Sequence, residues 1–382
     1  MIYLDNSATT FPKPLAVREM LSYAPLRYGA NPGRSGYKMG NDTARMIYKV
    51  RQSVAEMFSA DSEENVVFTL NCTHSLNIAI KGLSKYGGHA VTSCLEHNSV
   101  VRPLTKLCKD KNFTFDIAKV YDDDDKTVES FERKIKRNTN FIVCTYASNV
   151  FGDILPIQKI GNLAKKYNIP LIVDAAQAAG VIDIDVKRDN ISCLCMPGHK
   201  GLYGPTGTGI LLLSDNCKPD TLIEGGTGSE SKKLLQPDFL PDRYESGTIN
   251  TFGILALGKG LDFVKKEKIS RIREYESELV DYLYKNIVNS ENIILYNEYN
   301  QNKFVPVLSF NINDFSGEKS ASLLSERGIA VRGGFHCNPS AHEHYYTISK
   351  GTVRASVSAF NTKNDIKFLI KSINQIAKTK KV

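Results

Sequence analysis

No stretch of this sequence approaches the roughly 18 consecutive apolar residues that span a bilayer. The opening Met1-Ile2-Tyr3-Leu4-Asp5 reaches a charge too early for a secretory signal. The eight cysteines have no dense, regular spacing, which excludes a secreted disulfide framework. A reducing, cytoplasmic protein is therefore expected, in which any special cysteine is special for its reactivity. There is no internal repeat, no long linker, and no basic stripe interleaved with aromatics. Neither a membrane nor a nucleic-acid partner is expected, although 49 basic residues against 41 acidic ones give a net charge of +8. The last twenty residues hold six lysines and one aspartate, so +5 of the +8 sits there. That run reads as the solvated face of a terminal helix. The acidic run 122–125 lacks the spaced ligands and glycine of a calcium loop and reads as a solvated turn.

What is present is a globular composition, 42% hydrophobic and 24% charged, in 382 residues, enough for one large and one small domain. From residue 41 to about 215 short apolar runs alternate with helical periodicity. Met46, Ile47, Val50, Val54, Met57 and Phe58 recur at helical spacing after a cap at Asn41 or Asp42. Apolar runs stand at 66–69, 90–93, 141–146, 171–173, 191–196 and 209–213, with helix-period segments at 76–83 and 157–167. This alternation predicts an α/β fold with a mostly parallel sheet covered on both faces. Past residue 255 the pattern changes to an amphipathic helix at 269–283, an extended run at 304–312, a helix at 318–327 and a closing helix led by the capping box Thr362–Asp365. The chain is thus divided into an N-terminal segment 1–15 packing with the small domain, a large domain 16–254, and a smaller α+β domain 255–382.

In open α/β sheets ligands sit at the carboxyl ends of the strands, and several of these ends carry polar residues. After the run at 66–69 comes Asn71-Cys72-Thr73-His74-Ser75, which enters a helix and offers backbone N–H groups and hydroxyls to an anion. After 171–173 comes Asp174, a carboxylate that is costly to bury without a cationic partner. After 191–196 comes Gly198-His199-Lys200, 26 residues beyond that aspartate. Lysine and aspartate on neighbouring strand ends, next to a helix terminus, suggest a pyridoxal phosphate site: Lys200 would form the Schiff base, Asp174 would keep the pyridine nitrogen protonated, and the helix terminus would hold the phosphate.

These residues fall within a longer series: Tyr3-Leu4-Asp5-Asn6-Ser7-Ala8-Thr9-Thr10, Asn31-Pro32-Gly33-Arg34, Glu96-His97-Asn98-Ser99, Ser148-Asn149-Val150-Phe151-Gly152, Val173-Asp174-Ala175-Ala176-Gln177, Gly198-His199-Lys200 and Glu245-Ser246-Gly247-Thr248. In this order and spacing the chain resembles, over nearly its whole length, the class V aminotransferase family of pyridoxal-phosphate enzymes, in its cysteine desulfurase and selenocysteine lyase branch. The resemblance implies fold type I, with pyridoxal 5'-phosphate as cofactor. It implies that Lys200 is the Schiff-base lysine, that His97 stacks on the ring and relays protons, and that Asp174 and Gln177 hold the pyridine nitrogen and the phenolic oxygen. Thr73 and His199 match phosphate ligands, with the backbone of Cys72 contributing, and Thr248 matches one supplied by a neighbouring subunit, which implies a homodimer. Asn149 and Arg354 match substrate-holding groups, with Arg354 forking onto the carboxylate; Arg332 and Arg34 complete the expected substrate-binding set. The sequence departs from the family at Pro197, where a hydroxyl residue is common, and at Gly201, inserted after the lysine.

The segment Arg332-Gly333-Gly334-Phe335-His336-Cys337-Asn338-Pro339 places one cysteine in a short loop, with His336 and Arg332 as candidate sources of thiolate character. It resembles the SufS-like desulfurases, in which the cysteine at this position takes sulfur as a persulfide. The expected reaction converts L-cysteine to L-alanine, with catalytic residues Lys200, Cys337 and His97 and a protein sulfur acceptor downstream. A selenocysteine lyase acting on L-selenocysteine, or another class V aminotransferase or lyase, is the alternative. Cys193 and Cys195 alternate along a strand and are expected in the core. His336, Cys337, His342 and His344 could be drawn as a zinc cluster, but the persulfide role accounts better for Cys337, and no metal is expected.

Overall fold

The computed structural model describes residues 1–32, 36–110 and 112–378. The chain begins with β1 (Ile2–Tyr3), α1 (Leu15–Arg27) and α2 (Lys38–Phe58), then β2 (Val66–Thr69) and α3 (Cys72–Gly82). Next come β3 (Gly88–Ser93), α4 (Asn98–Asp110), β4 (Phe113–Ala118), α5 (Asp124–Glu132), β5 (Thr139–Thr145), α6 (Ile157–Lys166), β6 (Leu171–Asp174), β7 (Cys193–Pro197) and β8 (Gly209–Leu213). These strands form one seven-stranded sheet in the order β2-β8-β7-β6-β5-β3-β4, parallel except that β8 runs counter to its neighbours.

Alternate residues of each central strand enter two separate cores. Ile142, Cys144 and Val173 pack with α2, α6 and α7 (Thr251–Glu267). Phe141, Val143, Ile172, Cys193 and Cys195 pack with α3 and α4 on the other face. The two cysteines lie two residues apart, so they share that face, and both are fully buried. A strand apolar on both sides is what a sheet covered on both faces requires.

After α7 the chain forms α8 (Ile269–Ile287), β9 (Ile293–Leu295), β10 (Val307–Ile312), α9 (Gly317–Ser325), β11 (Ile329–Ala330), β12 (Arg332–Gly334), α10 (Pro339–His344), β13 (Thr352–Ser356) and α11 (Lys363–Lys378). An antiparallel sheet, β12-β13-β10-β9, packs its own core against α8 and α11. The N-terminus joins this part: β1 pairs with β11, and Leu4 lies in the same core. The capping box is present, with Thr362 N donating to Asp365 Oδ2 at 2.8 Å. Lys363, Lys367, Lys371 and Lys378 on α11 face solvent.

Two local readings change. The acidic run is a helix start: Asp123 caps α5 by accepting from the amides of Asp125 and Lys126. Asp124 and Asp125 occupy the first turn, where the helix dipole favours negative charge. Helix α2 begins at Lys38 with Tyr37 as its cap, ahead of Asn41.

Candidate active site

The carboxyl ends of β2, β3, β5, β6 and β7 converge on a cavity of about 110 Å³. Eight of the expected residues line it: Cys72, Thr73, His97, Asn149, Asp174, Gln177, His199 and Lys200. Lys200 stands three residues past the end of β7, and burial, followed by the nearby Arg354 charge, pulls its pKa below the usual lysine value, while Asp174 opposes this. A desolvated amine of this kind is more often uncharged and more nucleophilic than a surface lysine. The peptide leading into it is fastened from the N-terminal segment: the His199 carbonyl accepts from Thr10 N at 3.1 Å, from the hydroxyls of Thr9 and Thr10, and from Lys13 Nζ at 2.7 Å. Gly201 has a packing reason. A Cβ there would lie 2.4 Å from the Ala179 carbonyl oxygen, so the turn closes only without a side chain.

Asp174 is nearly completely buried. Its Oδ1 accepts from Ala176 N at 2.9 Å and from the Cys72 thiol at 3.4 Å. Burial, with Asp174 beside it, pushes the Cys72 pKa well above the ordinary thiol value, so this cysteine is a neutral donor. At the start of α3, Asn71 accepts from His74 N, and Thr73 Oγ1 lies 2.7 Å from Ser99 Oγ. His199 adds a buried Nδ1 with no partner among the described residues. Hydroxyls, an open helix N-terminus and an unpartnered imidazole nitrogen suit an anionic group.

Burial lowers the His97 pKa to about 4, so the ring is neutral near pH 7. Its Nδ1 accepts from the Ser99 backbone N–H at 3.0 Å, which assigns the ring proton to Nε2. Gln177 Nε2 donates to the Ser7 carbonyl at 3.1 Å.

Three expected residues stand beside the cavity rather than on its wall. Arg354, on β13, is almost wholly buried; its Nη2 meets Asp5 Oδ1 at 2.7 Å and its Nη1 meets the Asn149 carbonyl at 2.6 Å. Its Nε is buried without a partner among the described residues. Arg332 faces Arg354 across the β12–β13 pair, and its Nη2 lies 3.8 Å from Cys337 Sγ. Cys337 itself is exposed. His336, expected to lend charge to Cys337, does not: it is buried, donates from Nε2 to the Thr352 carbonyl at 3.1 Å, and is held neutral by that burial. His342 turns to Thr347, and His344 to Cys94. His336 and Cys337 both adopt left-handed backbone, φ 51° and 58°, a conformation costing on the order of 1–2 kcal/mol for each non-glycine residue. Surrounding contacts must hold it.

Thr248 is apart from this cavity. It lines a second one of about 470 Å³, near Tyr48 and a buried fork in which Arg51 Nη1 and Nη2 each meet a Glu245 carboxylate oxygen at 2.9 Å. Arg34 lies outside the described residues.

Several groups at the site were not singled out from sequence: Asp5 as the partner of Arg354, Ser99 between His97 and Thr73, Asn338, and Glu96. Asn338 did carry a signal, since Asn before Pro marks a helix N-terminus. Glu96 is fully buried and accepts from the Ser93 hydroxyl and, at 2.9 Å, from Thr145 N. Burial raises its pKa from 4.5 to about 8. A carboxyl whose folded pKa is raised contributes stability below its unfolded pKa and loses it as pH rises toward the folded value. Glu96→Gln keeps the acceptor oxygen and removes the titration. The melting temperature of the parent should therefore fall relative to this variant between pH 5 and 8, and melting curves that stay parallel over that range would contradict this environment for Glu96.

The sequence profile of the aminotransferase class-V family matches residues 2–369. A probable cysteine desulfurase of Methanothermobacter thermautotrophicus is 33% identical, over 98% of this chain and 94% of that protein. One of Pyrococcus abyssi is 32% identical, over 99% and 95%. The apo structure of a cysteine desulfurase from Thermococcus onnurineus NA1 superposes with a TM-score of 0.88 at 28% identity, covering 99% of this chain and 94% of that one.

Proposed function

Because this chain belongs to the class V aminotransferase family, we propose that it is a pyridoxal-phosphate-dependent cysteine desulfurase, converting L-cysteine to L-alanine and receiving the sulfur on Cys337 as a persulfide. The observation that carries this reading is the juxtaposition of a buried Lys200 amine and a buried Asp174 carboxylate in one cavity, with an exposed cysteine loop fastened beside it. The residues fit the cofactor: Asp174 for the pyridine nitrogen, Gln177 for the phenolic oxygen, His97 against the ring, and Cys72, Thr73 and His199 for the phosphate. When bound, pyridoxal phosphate supplies an electron sink for negative charge at the substrate Cα.

Around it the chain's own groups divide the work. Arg354, whose Nε has no partner among the described residues, grips the substrate carboxylate, with Asn149, Arg332 and Arg34 completing the substrate contacts. Lys200 Nζ takes the Cα proton. His97 Nε2 moves protons at the cavity mouth. The Cys337 thiolate attacks the substrate sulfur, a sulfur–sulfur bond forms, and the electron pair of the broken carbon–sulfur bond stays with carbon, which is protonated to give alanine. The Arg332 guanidinium at 3.8 Å is the counter-charge for that thiolate.

The enzyme acts as a homodimer in which Thr248 serves the partner's phosphate; its distance from the Lys200 cavity in its own chain supports this. It works in the cytoplasm and passes its sulfur to a protein acceptor. Residues 1–15 belong with the small domain 255–382, as the pairing of β1 with β11 supports, and 16–254 form the large domain. Incubation with cysteine and a reducing thiol should yield alanine and sulfide in equal amounts, faster than alanine and selenide from selenocysteine if cysteine is the substrate. Amino transfer to a keto acid without sulfide would contradict the reading.

A further inference from the structure

We propose that Asn338 is a positioning residue for sulfur transfer: its buried amide locks the Cys337 loop onto the elements that carry His97 and Asn149. The inference deepens the reading of Cys337 as sulfur acceptor and rests on it. Asn338 is completely buried, although it follows an exposed cysteine. Its Nδ2 donates to the Leu95 carbonyl and to Asn149 Oδ1, both at 2.8 Å, while its Oδ1 accepts from Ala341 N at 3.0 Å and caps α10. The Asn149 amide completes the clasp by donating from Nδ2 to the His336 carbonyl at 2.8 Å. The Cys337 carbonyl accepts from Asn98 N, again at 2.8 Å. Each of three successive loop residues is thereby bonded to a segment leaving the carboxyl end of β3 or β5.

The clasp answers a requirement of the loop. His336 and Cys337 both hold left-handed backbone, which relaxes unless the surroundings fix it. Among the described residues the side chain that meets the thiol is Arg332, at 3.8 Å, a contact too long to fix the backbone. An amide of this length can donate to two oxygens and still accept as a helix cap. Aspartate and serine can cap but cannot make those two donations. Displacing a reacting atom by about 1 Å can cost roughly a hundredfold in rate.

Asn338→Asp separates the two roles, because aspartate caps a helix about as well as asparagine but turns a carboxylate toward the Leu95 and Asn149 oxygens. Asn338→Ser keeps a cap and removes the donors without adding charge. Holoenzyme variants would be mixed with cysteine, and sulfur on Cys337 followed by mass spectrometry during the first turnover, beside steady-state KM and the absorbance of the bound cofactor. The expected result is sulfur transfer slowed roughly 10- to 100-fold in both variants, with KM and cofactor absorbance as in the parent. Parent-like transfer in Asn338→Ser overturns the proposal, and so does a rise in KM or a loss of cofactor absorbance that accounts for the slowing. Failure of the parent itself to carry sulfur on Cys337 overturns the underlying functional reading instead.

Discussion

Replacing Lys200 by alanine is expected to lower alanine production from cysteine by at least roughly a hundredfold to ten-thousandfold, the range in which a positioned acid–base group contributes. The loss should lie at the upper end, because in the proposed mechanism Lys200 would both anchor the cofactor covalently and take the Cα proton. The structure explains why no neighbour can substitute. Lys200 stands at the end of β7 in a cavity whose other basic groups are His97 and His199, both with pKa values pushed to about 4 by burial. Burial lowers the Lys13 pKa to about 8, but its ammonium is engaged by Thr10 and the His199 carbonyl. The variant should fold, since its truncation removes a desolvated amine that makes no ion pair among the described residues. Its absorbance should lack the band of the lysine-linked cofactor. A Lys200→Ala protein that keeps this band would overturn the cofactor assignment, whatever its activity.

The second large effect is expected at Cys337. Cys337→Ala should retain cofactor absorbance and its response to cysteine, because the thiol is exposed and does not line the Lys200 cavity. It should accumulate no persulfide, and alanine release should fall by about a hundredfold or more, since the substrate sulfur then has no positioned acceptor. The cysteines in and under the cavity offer no replacement. Burial raises the pKa of Cys72, the only one of them lining the cavity, and its proton is donated to Asp174. Cys144 and Cys195 are fully buried with raised pKa values. Wild-type alanine and sulfide release by Cys337→Ala would show that the nucleophile lies elsewhere.

Much of this architecture was legible because parallel strands buried on both faces write themselves as uninterrupted apolar runs, and because polar residues directly after such runs mark a ligand edge. Lys200, Asp174 and Thr73 were found in that way. Strand β4 was not, because it is the sheet's edge and the polar Thr114 and Asp116 break its apolar run. The contacts that tune the site were equally hidden. Asp5 meets Arg354 across 349 positions and Asn338 meets Asn149 across 189, and no local pattern encodes such a pairing. His336 illustrates the reverse error: adjacency to Cys337 in sequence suggested charge, but the left-handed turn sends its ring to Thr352 and leaves Arg332 as the cation by the thiol.

The most direct test is mass spectrometry of the wild-type holoenzyme after brief exposure to cysteine without a reducing thiol. The account predicts one added sulfur, removable by reductant, on the peptide that contains Cys337. Alanine formed with that peptide unmodified, or the added sulfur found on another cysteine, would contradict it.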